Sequence, residues 1–312
     1  MCHLPWQSCA AAFSRDGGAL PKLPPHASGG VLRQASDGGQ SFLRGVPRPA
    51  RLYEDEARGM KSTPLWLLPN VWSVDAPMVA VAWQALLAEC TGTPLRMVAR
   101  VILFLTVWLI YIADRLLDTR QPAQAPEPER HQFYRVHRRA AYVTAAMILA
   151  TDAVLILLEL LPVVFRTGLL TFAGVSVYFF ILHGMSISFP KEAAVAILFT
   201  IGTFLVAFTR TPQPVMNLLP AAVSFCLLCL ANLLAIEYGE RAMPVKSGRW
   251  YLVWVLALAI ICPIAFPGRW SYAIAMSAAS LALIHSLGNR VGLAARRVLV
   301  DAVLLAPPLL LL

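Results

Sequence analysis

The chain has 312 residues, of which 58% are hydrophobic and 14% charged, against about 45–50% and about 25% in an ordinary soluble domain. Mean hydropathy is +0.64. A soluble enzyme, a disulfide scaffold and a nucleic-acid-binding module all fit that balance poorly, and an all-α polytopic membrane protein fits it well. The net charge of +9 does not call for nucleic acid, because basic residues gather in the cytoplasmic loops of membrane chains.

Residues 1–59 carry 8 Gly and 6 Pro, including the doublets Gly17-Gly18, Pro24-Pro25, Gly29-Gly30 and Gly38-Gly39. They show no apolar periodicity and no apolar core of a secretory signal, so they are expected to form a disordered tail without assigned function. Met60 stands directly before Lys61 and the first apolar helix, which makes it an alternative start of translation. Residues 60–312 are then the membrane domain.

Measured against the roughly 20 residues that cross a bilayer, nine apolar runs follow: 66–89, 95–117, 140–162, 167–188, 191–209, 214–238, 250–266, 270–288 and 295–312. Loops after the even-numbered runs hold twelve basic residues, among them Arg120, Arg130, Lys191, Arg241, Lys246, Arg296 and Arg297. Loops after the odd-numbered runs hold five: Arg96, Arg100, Arg166, Arg210 and Arg269. The bias places the even loops and the N-terminus in the cytoplasm. Cys90, Cys226, Cys229 and Cys262 lie in apolar stretches and Cys2 and Cys9 in the tail. The Cys226-x-x-Cys229 pair reads as small packing residues in a helix, not as a metal or redox site.

Acids within a membrane cost roughly 2.5–3.5 kcal/mol each, so Asp75, Glu89, Asp114, Asp118, Asp152, Glu159, Glu237, Glu240 and Asp301 each need a reason. The second run ends Tyr111-Ile-Ala-Asp114-Arg-Leu-Leu-Asp118. Asp114 and Asp118 are four apart on one helix face, where they repel each other and oppose the helix dipole. A divalent cation relieves both effects, and Mg²⁺ is commonly held by one or two carboxylates plus substrate phosphates. The sixth run ends Asn232-Leu-Leu-Ala-Ile-Glu237-Tyr-Gly-Glu240-Arg241, followed by Lys246. Glu237 and Glu240 again share a face beside basic residues. Interfacial flanking by acids and arginines is the plain alternative for either pair. Asp152 and Glu159, seven apart in the third run, are expected to line a cavity, pair with an arginine or face a neighbouring helix. His131 and His137 lack a zinc spacing and read as loop residues.

The nine-run layout with acidic ends on the second and sixth runs resembles the UbiA superfamily of intramembrane prenyltransferases. Asp114-Arg-Leu-Leu-Asp118 matches the last two aspartates of that family's N-D-x-x-D-x-x-x-D motif, while Ile110 and Tyr111 replace its Asn-Asp. Tyr238-Gly239-Glu240-Arg241 through Lys246 is similar to the ending of its second motif. Ser73-Val-Asp75-Ala-Pro77 resembles its opening without the arginine, and Pro190-Lys191 resembles the start of its fifth helix. The resemblance covers residues 66–312. It implies Mg²⁺ held by Asp114, Asp118, Glu237 and Glu240, and a diphosphate contacted by Lys191, Arg241 and Lys246. It also implies transfer of an isoprenyl group to an aromatic or lipid acceptor. Tyr111 shares the face of Asp114 and Asp118 and reads either as a ring that stacks on an allylic cation or as an ordinary interfacial tyrosine. The reading from a different class is a non-catalytic isoprenoid or lipid binder, or a transporter, on the same fold. It differs in whether the carboxylates of the two acidic ends converge around one cavity of diphosphate size, open sideways to lipid.

Overall fold

The computed structural model describes residues 64–119, 129–184, 191–241, 245–265, 268–287 and 290–312. The expected tail and the alternative start at Met60 lie outside these residues. Every described regular element is helical: α1 (Leu68–Val71), α2 (Asp75–Thr91), α3 (Met97–Asp118), α4 (Glu129–Val136), α5 (Arg138–Glu159) and α6 (Pro162–Gly184). These are followed by α7 (Lys191–Arg210), α8 (Leu219–Arg241), α9 (Val245–Ala265), α10 (Arg269–Leu287) and α11 (Leu293–Leu311). Among the described residues five segments, against nine expected runs, are long and apolar enough to cross a membrane: Met97–Asp118, Arg138–Glu159, Lys191–Arg210, Val215–Tyr238 and Arg269–Leu287. The pair Leu65–Val71 and Asp75–Thr91, bent by 81°, is a sixth when counted as one broken span and a re-entrant loop otherwise. That architecture is compatible with an integral membrane protein. The helices α5 and α6 leave Leu157, Leu158 and Leu170 about three-quarters exposed, a surface suited to lipid and not to water.

The boundaries differ from the sequence reading where backbone chemistry intervenes. The first run is not one straight helix, because the chain turns at Trp72–Val74, with Ser73 in the left-handed region at φ 56°. The third run stops at Glu159, since Leu160 is extended. Pro162 opens α6 instead, a position where its missing N–H leaves no bond unmade. The segment expected as loop after the second run contains the helix α4. Gly92, at φ 65°, closes α2 in the left-handed conformation that an αL cap requires.

The turn at Ser73 is held by its surroundings. The Trp72 carbonyl, freed by the bend, accepts from Trp108 Nε1 at 3.0 Å and from Tyr134 Oη at 3.3 Å. Burial pushes the Tyr134 hydroxyl above its ordinary value, so it stays a donor. A β-branched residue is strained in the left-handed region by about 1–2 kcal/mol. Ser73→Val should therefore lower the thermal midpoint of the purified protein by several degrees, while Ser73→Asn leaves it unchanged. Equal midpoints for the two variants would show that the bend is not strained.

α2 packs against α3, α7 and α11, and α8 against α7, α9, α10 and α11, so the first and last long helices meet in the interior. Where α2, α7, α8 and α10 come together, Trp83, Phe204, Phe225 and Trp270 pack in tilted and edge-on pairs with ring centroids 4.9–6.0 Å apart. Pro308 lies inside α11 and cannot donate to the carbonyl of Leu304. Trp83 Nε1 supplies that bond at 2.8 Å.

Candidate functional site

Asp114 and Asp118 lie on one face of α3, as the four-residue spacing dictates. The Oδ2 atoms of both stand 3.5 Å from Nη1 of Arg115. The two carboxylates are about a third exposed and the guanidinium only 14%, so an arginine of the same helix already bridges the like charges. Tyr178 of α6 lies in the field of Asp114, Asp118 and Glu192. The start of α7, where Lys191 is the first helical residue and is exposed, thus lies at the same end of the bundle as the acidic end of α3.

Tyr111 is three residues, about 4.5 Å of rise, further into the bundle than Asp114. There α2, α3, α7, α8 and α11 enclose a cavity whose polar lining is Tyr111, Asn232 and Asp301, with Val79, Phe199 and Leu304 among its apolar walls. Asn70, just before the bend, donates through Nδ2 to Asp75 Oδ2 at 2.8 Å and to Asp301 Oδ2 at 3.3 Å. Asp75 also accepts from the Ala76 N–H at 2.9 Å, a favourable acid in the first turn of α2. Asn232 donates to Asp301 Oδ1 at 3.2 Å, and its own Oδ1 is buried without a partner. Tyr111 lies in the field of Asp75, Asp301, Asp114 and Arg115. The 81° bend thus carries Asn70 over the cavity and ties four segments into one polar hub.

Glu237 is half-buried on α8, five residues beyond Asn232, and therefore about 7.5 Å of rise towards the same end of the bundle as Asp118. The side chains of Glu240, Arg241 and Lys246 lie outside the described residues. Among the described residues no three His, Cys, Asp or Glu side chains converge as a metal cage. The donors at Asp114 and Asp118 are instead the carboxylate pair that Mg²⁺ uses when phosphates complete its shell. The residue types suit that ion, and Arg115 already stands 3.5 Å from both carboxylates.

Other acids have ordinary structural partners. Glu159 pairs with Arg96 at 2.6 Å, the arginine alternative foreseen for it. Asp152 faces the neighbouring helix and accepts from Thr106 Oγ1 at 2.7 Å. The His137 ring, at the junction of α4 and α5, stacks on Phe133 at 4.7 Å. A second cavity, of about 430 Å³, opens at the opposite end of the bundle beside Glu89, Gln213, Asn217 and Arg269. Its lining on α2 starts eleven residues beyond Ala76, which lines the first.

Sequence reasoning named Asp75 and Asp301 without a role and did not pick Asn70, Asn232 or Arg115. The Asp-Arg-x-x-Asp order was a legible signal for Arg115, since i,i+3 residues are neighbours on a helix. No spacing rule joins Asn70, Asn232 and Asp301, which come from distant helices. No protein-family model, curated protein or solved structure matches the chain.

Proposed function

We propose that this chain is an intramembrane prenyltransferase built as a nine-span UbiA-like bundle, with its N-terminus cytoplasmic. It would transfer an isoprenyl group from an isoprenyl diphosphate to an aromatic or lipid acceptor. One observation carries the reading. Helices α3 and α8, which bear the two acidic ends, both line the cavity holding Tyr111, Asn232 and Asp301, and their acids stand just beyond it at one end of the bundle.

In this reading Asp114 and Asp118 would hold one Mg²⁺, and Glu237 and Glu240 the other. Such ions, when bound, would neutralise the charge that builds on the diphosphate. Lys191, Arg241 and Lys246 bind phosphate oxygens through charge-assisted hydrogen bonds. The prenyl C–O bond breaks with both electrons leaving on the diphosphate. The allylic carbon then bonds to the acceptor, which gives up a proton. Tyr111 lines the cavity, and its ring would attract the cationic carbon; at about 40 Å³ the cavity would have to widen between its helices to admit a hydrocarbon chain.

The purified full-length protein, incubated with labelled farnesyl diphosphate, Mg²⁺ and a panel of phenolic and lipid acceptors, should release diphosphate. Asp114→Ala and Asp118→Ala should reduce release by about 10²-fold or more, and His131→Ala should leave it intact. The bridging of both aspartates by Arg115 favours one other reading, a lipid or isoprenoid binder without turnover. Saturable binding of farnesyl diphosphate with no release under any acceptor would select that reading instead.

A further inference from the structure

At the end of the bundle that carries the acidic motifs, Arg296 and Arg297 are 7% and 8% exposed. Arginine stays charged at any pH a protein meets, and a buried charge without a counter-charge costs several kcal/mol. Among the described residues no carboxylate pairs with Arg296, whereas Arg96 pairs with Glu159 and Arg115 with Asp114 and Asp118. Its Nη2 meets only Nδ1 of His285, at 3.4 Å, and its Nε has no hydrogen-bond partner. Accepting from an arginine requires His285 to be neutral, so this histidine adds no charge of its own.

His285 lies against Tyr251 with centroids 4.7 Å apart and against Tyr238 at 5.8 Å. Tyr251 directs its hydroxyl to the Ala231 carbonyl at 3.1 Å. Arg296 is the fourth residue of α11, and the capping residue Gly292 provides no side chain to the free N–H groups of the first turn. Helical side chains lean towards their own N-terminus, which brings the guanidinium towards those amides and the positive end of the helix dipole. A buried cation with an idle N–H, beside an uncapped helix start, is a site short of one anion.

We propose that Arg296 and the first turn of α11, backed by neutral His285, bind a phosphate group. Its planar fork suits tetrahedral oxyanions better than chloride. The phosphate can come from an anionic phospholipid headgroup or from a soluble diphosphate, and the proposal stands whether or not the chain catalyses prenyl transfer.

The test uses full-length protein in uncharged detergent, without Mg²⁺, and follows the thermal midpoint by tryptophan fluorescence, to which Trp254 beside Tyr251 contributes. Pyrophosphate should raise the midpoint by about 2–4 °C over chloride at equal ionic strength. A parallel arm compares nanodiscs of phosphatidylcholine with and without phosphatidic acid. A rise only in the nanodisc arm assigns the site to lipid headgroups, and a rise with pyrophosphate assigns it to a soluble phosphate. Arg296→Gln should fold with an unchanged or higher midpoint in chloride, because it removes an uncompensated charge, and should lose the response. Arg296→Lys should fold and retain a weaker response. No rise in either arm, or a rise that survives Arg296→Gln and disappears in Lys191→Gln, would overturn the proposal. None of these readouts depends on diphosphate release, so failure here leaves the transferase assay informative, and the reverse holds too.

Discussion

Trp83→Ala should destabilise the protein by about 3 kcal/mol, through the cavity it leaves in the densest part of the bundle. Trp83 has no exposed surface and touches Phe225 and Trp270 with centroids 4.9 and 5.0 Å away. In a bilayer the apolar transfer term between helices is small, so the loss falls mainly on dispersion contacts and the void. A second contribution is separable. Trp83→Phe keeps much of the ring but strips the donor from the Leu304 carbonyl, which costs about 1–3 kcal/mol for a buried unpaired acceptor. Pro308→Ala restores a backbone N–H to that carbonyl. The double variant Trp83→Phe, Pro308→Ala should therefore be more stable than Trp83→Phe alone, as read from denaturation in mixed micelles. Strict additivity of the two changes would mean that Trp83 is not compensating for the proline.

Arg115→Gln should be the most damaging change at the candidate site, at about 3–5 kcal/mol if Asp114 and Asp118 remain charged. The guanidinium is the cation that lets two carboxylates stand four residues apart at a helix C-terminus, where both repulsion and dipole act against them. Neutralising the acids removes the need for it. The triple variant Arg115→Gln, Asp114→Asn, Asp118→Asn should thus recover expression and folding while remaining inactive in diphosphate release. Wild-type stability of Arg115→Gln alone, measured by size-exclusion profile and thermal midpoint, would show that the contact at 3.5 Å is incidental.

Both predictions lean on features of different legibility. The helices themselves could be read along the chain, because a span needs only a sufficient apolar run, and each described long helix falls on an expected one. Leu160-Leu161-Pro162 misled the reading, since a proline near a run's end is compatible with either a bent helix or a new start. The bend at Ser73 was hidden for a related reason. Serine in the left-handed region leaves no local signature, and the groups that hold it, Trp108 and Tyr134, come from α3 and α4. Glu159 was narrowed to three roles, and only the approach of Arg96 chose among them.

What the amino-acid order determined unaided was the periodic and the local: apolar lengths that make helices, a carboxylate pair forced onto one face, and Arg115 set between its members. What tertiary structure alone decided was the company kept by residues far apart in number. Asn70, Asn232 and Asp301 share one hydrogen-bonded group because helix packing brings three distant segments together, and Arg296 is stranded because no described carboxylate reaches it. Helical periodicity acts over a few residues, whereas burial and charge compensation depend on neighbours that only packing supplies.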